Sequence, residues 1–171
     1  MSKKIDIISS YKLEFKYAGL TSGFIFLWLI LELILGAHST NMRYYPYFVL
    51  GSLLVPGIGI IMPIWRRKMY SMHGLRFEDA FRSGLIVTAI LTVTLPLIYL
   101  FFFSFIGPDL FDNIRNFAYA HAHRFGLPPS VAMSRAERIF NLRNYLLAGF
   151  FGMMVYGTLI SGLGSYLFRT K

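Results

Sequence analysis

The chain has 171 residues, 56% of them hydrophobic and 15% charged, with a mean hydropathy of +0.55. Soluble domains are usually roughly 45 to 50% apolar; here the excess falls in long blocks, which excludes a water-soluble globule and indicates an integral membrane protein of one domain. The absence of cysteine excludes disulfides and thiolate chemistry, and the net charge of +9 lies at the flanks of the apolar blocks, where it reports topology rather than nucleic-acid binding.

Residues 1–17 form a polar leader with four lysines, ending in the interface anchors Phe15, Lys16 and Tyr17. The first apolar run, 18–37, is about 20 residues long, beyond the roughly 7 to 15 of a signal-peptide core. It is therefore expected to be a span, although Ala37-His38-Ser39 offers small residues for cleavage. The second run, 45–65, has tyrosines at one end, Trp65 at the other, and internal Pro56 and Pro63. Proline frees a carbonyl and bends a membrane helix, so Pro56 and Gly57 predict a kink, read as a packing bend ahead of a gating hinge.

The strongly basic stretch Trp65 to Gly84, WRRKMYSMHGLRFEDAFRSG, separates two apolar runs and must stay in water. Within it Phe77, Ala80, Phe81, Gly84 and Leu85 fall on one helical stripe, predicting a helix that begins in water and spans 84–106. Gly107-Pro108-Asp109 ends that helix. Residues 109–124 then read as an amphipathic helix with Leu110, Phe111, Ile114 and Phe117 on one face. Ser134 and Glu137 are spaced as a capping box opening a further short helix. The last run, 145–168, is closed by Arg169 and Lys171. The expected fold is thus all-α: a four-transmembrane-helix bundle with a short helical segment, 108–143, between the third and fourth spans.

Lys and Arg number eleven on the side of the leader, the basic turn and residues 169–171, against six on the other. The positive-inside rule then places both termini and the basic turn in the cytoplasm.

Four spans, a basic turn followed by F-x-x-A-F-x-x-G at Phe77 to Gly84, and an aromatic-rich third span ending in Ile106-Gly107-Pro108-Asp109 together resemble the DUF4199 family over nearly the whole chain. The resemblance implies a bacterial inner-membrane protein, mainly of Bacteroidota, without an assigned activity. It lends architecture and no catalytic residue. Where that family is typically acidic before the last span, this chain carries Arg115, Arg124, Arg135, Arg138 and Arg143.

Glu32 is the one acidic residue inside an expected hydrocarbon-depth segment, where a charge costs about 2.5 to 3.5 kcal/mol on insertion scales. It must be protonated, paired or turned to a wet interior. Glu32 shares a helix face with Thr21, Ile25 and Trp28, and Tyr99, Thr88 and Thr92 on the third span form a matching stripe, so Tyr99 or a threonine is its expected hydrogen-bond partner. On the last span Gly152, Gly157, Ser161, Gly162 and Ser165 supply small residues at helical spacing, which let backbones approach closely in lipid; internal packing is favoured over a dimer seam.

Histidines 38, 73, 121 and 123 lack metal-ligand spacing, and no metal or cofactor is called for. Asp109 and Asp112 read as a helix start and a partner for Arg115. The favoured function is a non-enzymatic module packing with itself or a partner membrane protein in the bilayer. A small proton- or cation-coupled carrier or channel using Glu32 is the alternative, and a lipid-acting enzyme using the outer His and Asp residues is weaker.

Overall fold

In lipid every backbone polar group must be satisfied internally, so the apolar runs become helices. A computed structural model describes residues 11–37, 39–71, 74–122 and 126–170, and among these all regular structure is helical. The six helices are α1 (Lys12–Ile34), α2 (Tyr45–Tyr70), α3 (Phe77–Phe105), α4 (Leu110–Ala120), α5 (Pro129–Ile139) and α6 (Leu142–Phe168), with a 3-10 turn at Met42–Tyr44 before α2. Helices α1, α2, α3 and α6 are long and apolar enough to cross a membrane. The leader up to residue 10, His38, His73, His123, Arg124 and Lys171 lie outside the described residues.

Several boundaries differ from expectation for local reasons. The first helix includes Lys12 to Tyr17 and stops at Ile34. Gly36 takes a positive φ of 70°, and the Gly36 and Ala37 amides return to the Leu33 and Glu32 carbonyls, the double bond of a glycine C-cap. Ser134 does not cap a helix: α5 already starts at Pro129, and proline suits a first turn because the N–H it lacks would have no intrahelical partner there. The side-chain cap serves α6, whose Asn141 accepts from the Asn144 amide at 3.0 Å.

The stripe expected on α3 is also rotated. Phe77 is 40% exposed, whereas Ser83 and Gly84 are buried beside Ala80 and Val87. Lipid is as apolar as phenylalanine, so a large side chain need not face inward, while small ones let the neighbouring helix approach closely.

Helix α3 packs along α6, α1 adjoins α2 and α3, and α2 touches both α3 and α6. The spans therefore form a rhombus, with α2 and α3 across the short diagonal and α1 and α6 at far corners. Small residues set the α3–α6 seam. A Cβ on Gly84 would stand 2.7 Å from the Ser161 Cβ, and one on Gly157 would stand 2.4 Å from the Thr88 methyl. The Thr88 and Ser161 hydroxyls meet at 3.3 Å. On the α1–α2 face, Gly51 makes room for the Trp28 ring and Gly59 for Thr21.

The two ends of the bundle differ chemically. At the basic end Thr170 exchanges hydrogen bonds with Leu75, tying the basic turn to the end of α6. At the opposite end Phe103, Phe111 and Tyr145 pack with ring centroids 5.3 to 5.5 Å apart. Leu110 and Ile114 of α4 are buried in that cluster, so α4 packs on the bundle through an apolar face, and α5 packs on α4. The expected Asp112–Arg115 pair forms, and Arg115 also reaches Glu137 on α5 at 3.6 Å.

Candidate functional site

One stripe of α1 carries both buried acids. Glu14, Ala18, Thr21, Ile25, Leu29 and Glu32 are all buried, at intervals of three and four residues. This stripe faces the bundle, and its middle packs into a core with Ile60, Val87 and Leu91. The acids therefore sit on either side of an apolar layer.

Glu32 is 3% exposed. Trp28, one turn earlier, donates its indole N–H to Oε1 at 2.6 Å, and Ser52 of α2 donates its hydroxyl to the same oxygen at 2.8 Å. Trp28 sits on the stripe already visible in sequence; Ser52 is a partner the sequence did not suggest. Glu32 lines a cavity of about 290 Å³ between the spans, walled by Tyr45, Ser52 and Pro56 of α2, Tyr99 and Phe103 of α3, and Tyr145, Gly152 and Tyr156 of α6 among others. The exposed wall residues Val49, Leu53, Ala148 and Gly152 belong to α2 and α6, so the opening lies between those helices on the flank of the bundle. Towards the end of the bundle the Tyr45 and Tyr145 hydroxyls hydrogen-bond to each other across it.

Pro56 has no N–H for the Ser52 carbonyl, which lies one turn earlier. Tyr156 of α6 donates its hydroxyl to the neighbouring Leu53 carbonyl at 2.7 Å, and its oxygen lies 2.5 Å from where a Cβ on Gly57 would stand. The Pro56–Gly57 feature thus receives a side chain from the neighbouring span and lies beside the cavity wall.

The other sequence candidates divide. Tyr99 shares the cavity with Glu32. Thr88 and Thr92 lie 11 and 7 positions nearer the basic end, about 16 and 10 Å along the helix; Thr88 meets Ser161, and Thr92 donates to the Thr88 carbonyl. Gly157, Ser161 and Ser165 are buried in the bundle, Gly162 is 3.9 Å from the Phe81 ring by its would-be Cβ, and Gly152 has open space at its own. His121 lies against Phe117 with centroids 4.1 Å apart and bonds that residue's carbonyl through Nδ1.

Sequence reasoning placed Glu14 in the aqueous leader, and the structure corrects this. Its side chain is fully buried, Oε1 accepts from Arg67 Nε of α2 and from the Ser83 hydroxyl of α3, and Oε2 has no hydrogen-bond partner among the described residues. Three spans are joined at this acid. The signal was present: stepping back from Glu32 by threes and fours lands on residue 14.

Among the described residues no group of three His, Asp or Glu is placed to hold a metal ion. What the cavity offers is a carboxylate, hydroxyls and aromatic faces in an otherwise apolar enclosure, an arrangement suited to holding a small molecule.

Comparison with curated proteins and with solved structures finds no significant match. Residues 16–170 match the family described as protein of unknown function, DUF4199. The chain therefore belongs to the DUF4199 family, as its four membrane-spanning helices and the order of its motifs had suggested.

Proposed function

We propose that this protein is a non-enzymatic module of the bacterial inner membrane whose working part is the Glu32 cavity, and that it binds a small, largely apolar molecule between α2, α3 and α6. In the membrane its basic turn and both termini face the cytoplasm, following the excess of Lys and Arg at that end. The observation that carries the reading is a cavity of about 290 Å³, open on the flank, that reaches a buried carboxylate while the adjoining α3–α6 seam is closely packed. Pockets of this kind, mostly apolar with a few polar groups, are the usual form of small-molecule sites.

A through-channel is less well supported. Below the cavity the path along α1 meets Ala18, Ile25, Ile60, Val87 and Leu91, all at most 5% exposed, before the Glu14 cluster. A flank opening also suits a ligand that is already dissolved in the bilayer.

The test is binding of the neutral fluorophore N-phenyl-1-naphthylamine to protein in nanodiscs, with empty discs subtracted. Gly152→Trp fills a cavity wall with open space at its Cβ, and Gly23→Trp adds the same ring on α1, away from the cavity, where the space is equally open. Loss of binding for Gly152→Trp alone supports the reading. Equal binding by both variants and the parent chain contradicts it.

A further inference from the structure

We infer that the molecule taken by the Glu32 cavity is an organic monocation: an ammonium group carried on an apolar body. The inference rests on the binding reading above and names the ligand's charge. Among the described residues that line the cavity, Glu32 is the only carboxylic acid and none is basic, so the lining favours a positive guest. Its carboxylate is held in place by Trp28 and Ser52, fixing where a positive group would be met.

The walls add a second preference of the same sign. Five aromatic side chains, Tyr45, Tyr99, Phe103, Tyr145 and Tyr156, line the space, with the Tyr99 ring 5.7 Å from Phe103 and 6.2 Å from Tyr145. Aromatic faces carry negative potential and attract organic ammonium groups, the more strongly where water is excluded.

Other ligand classes fit less well. An anion would meet a carboxylate and no basic side chain among the described lining residues. A hard metal cation takes six to eight oxygens at short range. Here the wall provides one carboxylate, one serine hydroxyl and phenols, two of which are engaged with each other. A neutral apolar molecule gains nothing from Glu32. A lipophilic cation uses every feature: the flank opening, the apolar walls, the rings and the acid.

The experiment compares two molecules of the same shape, benzyltrimethylammonium and its uncharged carbon isostere neopentylbenzene. Binding to protein in nanodiscs is read from Trp28 emission in a Trp65→Phe background, which leaves Trp28 as the sole tryptophan. The cation is expected to bind about tenfold more tightly than the isostere. Glu32→Gln should bring the cation down to the isostere's level, and Tyr99→Leu should weaken the cation more than the isostere.

Equal affinities in the parent chain overturn the cation inference and leave the binding reading standing. Absence of binding by both molecules, with N-phenyl-1-naphthylamine also unbound, overturns both. A preference for the cation that survives Glu32→Gln contradicts the role given to that acid. The parent-chain comparison needs no variant, so misfolding of Glu32→Gln does not shield the inference.

Discussion

Glu14 and Glu32 lie on one buried stripe of α1, eighteen positions apart, which is about 27 Å along the axis, yet their surroundings are opposite. Glu14 is fully buried and clasped by Arg67 and Ser83 at the basic end. Glu32 borders open space. One acid binds three spans together, and the other is placed to meet a guest.

The Glu14–Arg67 pair therefore belongs to stability. Arg67→Met leaves a fully buried carboxylate without its cation, and should cost about 3 kcal/mol, the low end for a broken buried pair because the Arg67 side chain is 31% exposed. Adding Glu14→Gln should restore part of the loss, since both charges are then gone. Equilibrium unfolding in mixed detergent micelles measures both. A double variant less stable than Arg67→Met would show that the pair is not the source of the effect.

Glycines of the last span should separate by position. Gly157→Leu forces its side chain into Thr88, where a Cβ alone would be 2.4 Å from the methyl group, and should cost roughly 1 to 3 kcal/mol. Gly152→Leu has open space at its Cβ and should melt close to the parent chain. Thermal denaturation of the two variants in one detergent checks the contrast.

Tyr156 should act independently of Pro56. Tyr156→Phe removes the hydroxyl from the Leu53 carbonyl and should cost about 1 kcal/mol. Pro56→Ala supplies an N–H to the Ser52 carbonyl and none to that of Leu53, so the same change should cost as much in that background. A double-mutant cycle on melting checks this directly.

At the start of α6, Asn141→Ala removes the side-chain acceptor for the Asn144 amide and should cost about 1 kcal/mol. Ser134→Ala, inside α5, should cost almost nothing. Reversal of that order would return the cap to Ser134.

Much of the architecture was legible in the sequence because lipid imposes a one-dimensional rule: about 20 apolar residues, bounded by charge, make a span. Phe77 shows where the rule ends. Period alone put that ring inside, but a membrane gives large apolar groups no reason to face inward, and Ser83 and Gly84 occupy the seam instead. Glu14 was missed because a charge near a span's end reads as solvated; its burial depends on Arg67, fifty-three residues away, and on Ser83. Glu32 was recognised by its cost, and Tyr99 by its stripe. Ser52, Tyr45 and Tyr145 join them through the packing of α2 and α6, which no local pattern encodes.

The central claim is that Glu32 can be reached from the bilayer through the gap between α2 and α6, while Glu14 is sealed. Treatment of the membrane-embedded protein with the apolar reagent dicyclohexylcarbodiimide, followed by peptide mass spectrometry, tests this most directly. Adduct should accumulate on Glu32 well ahead of Glu14, and Gly152→Trp should suppress it. Modification of Glu14 as fast as Glu32, or a Glu32 adduct indifferent to Gly152→Trp, would contradict the account.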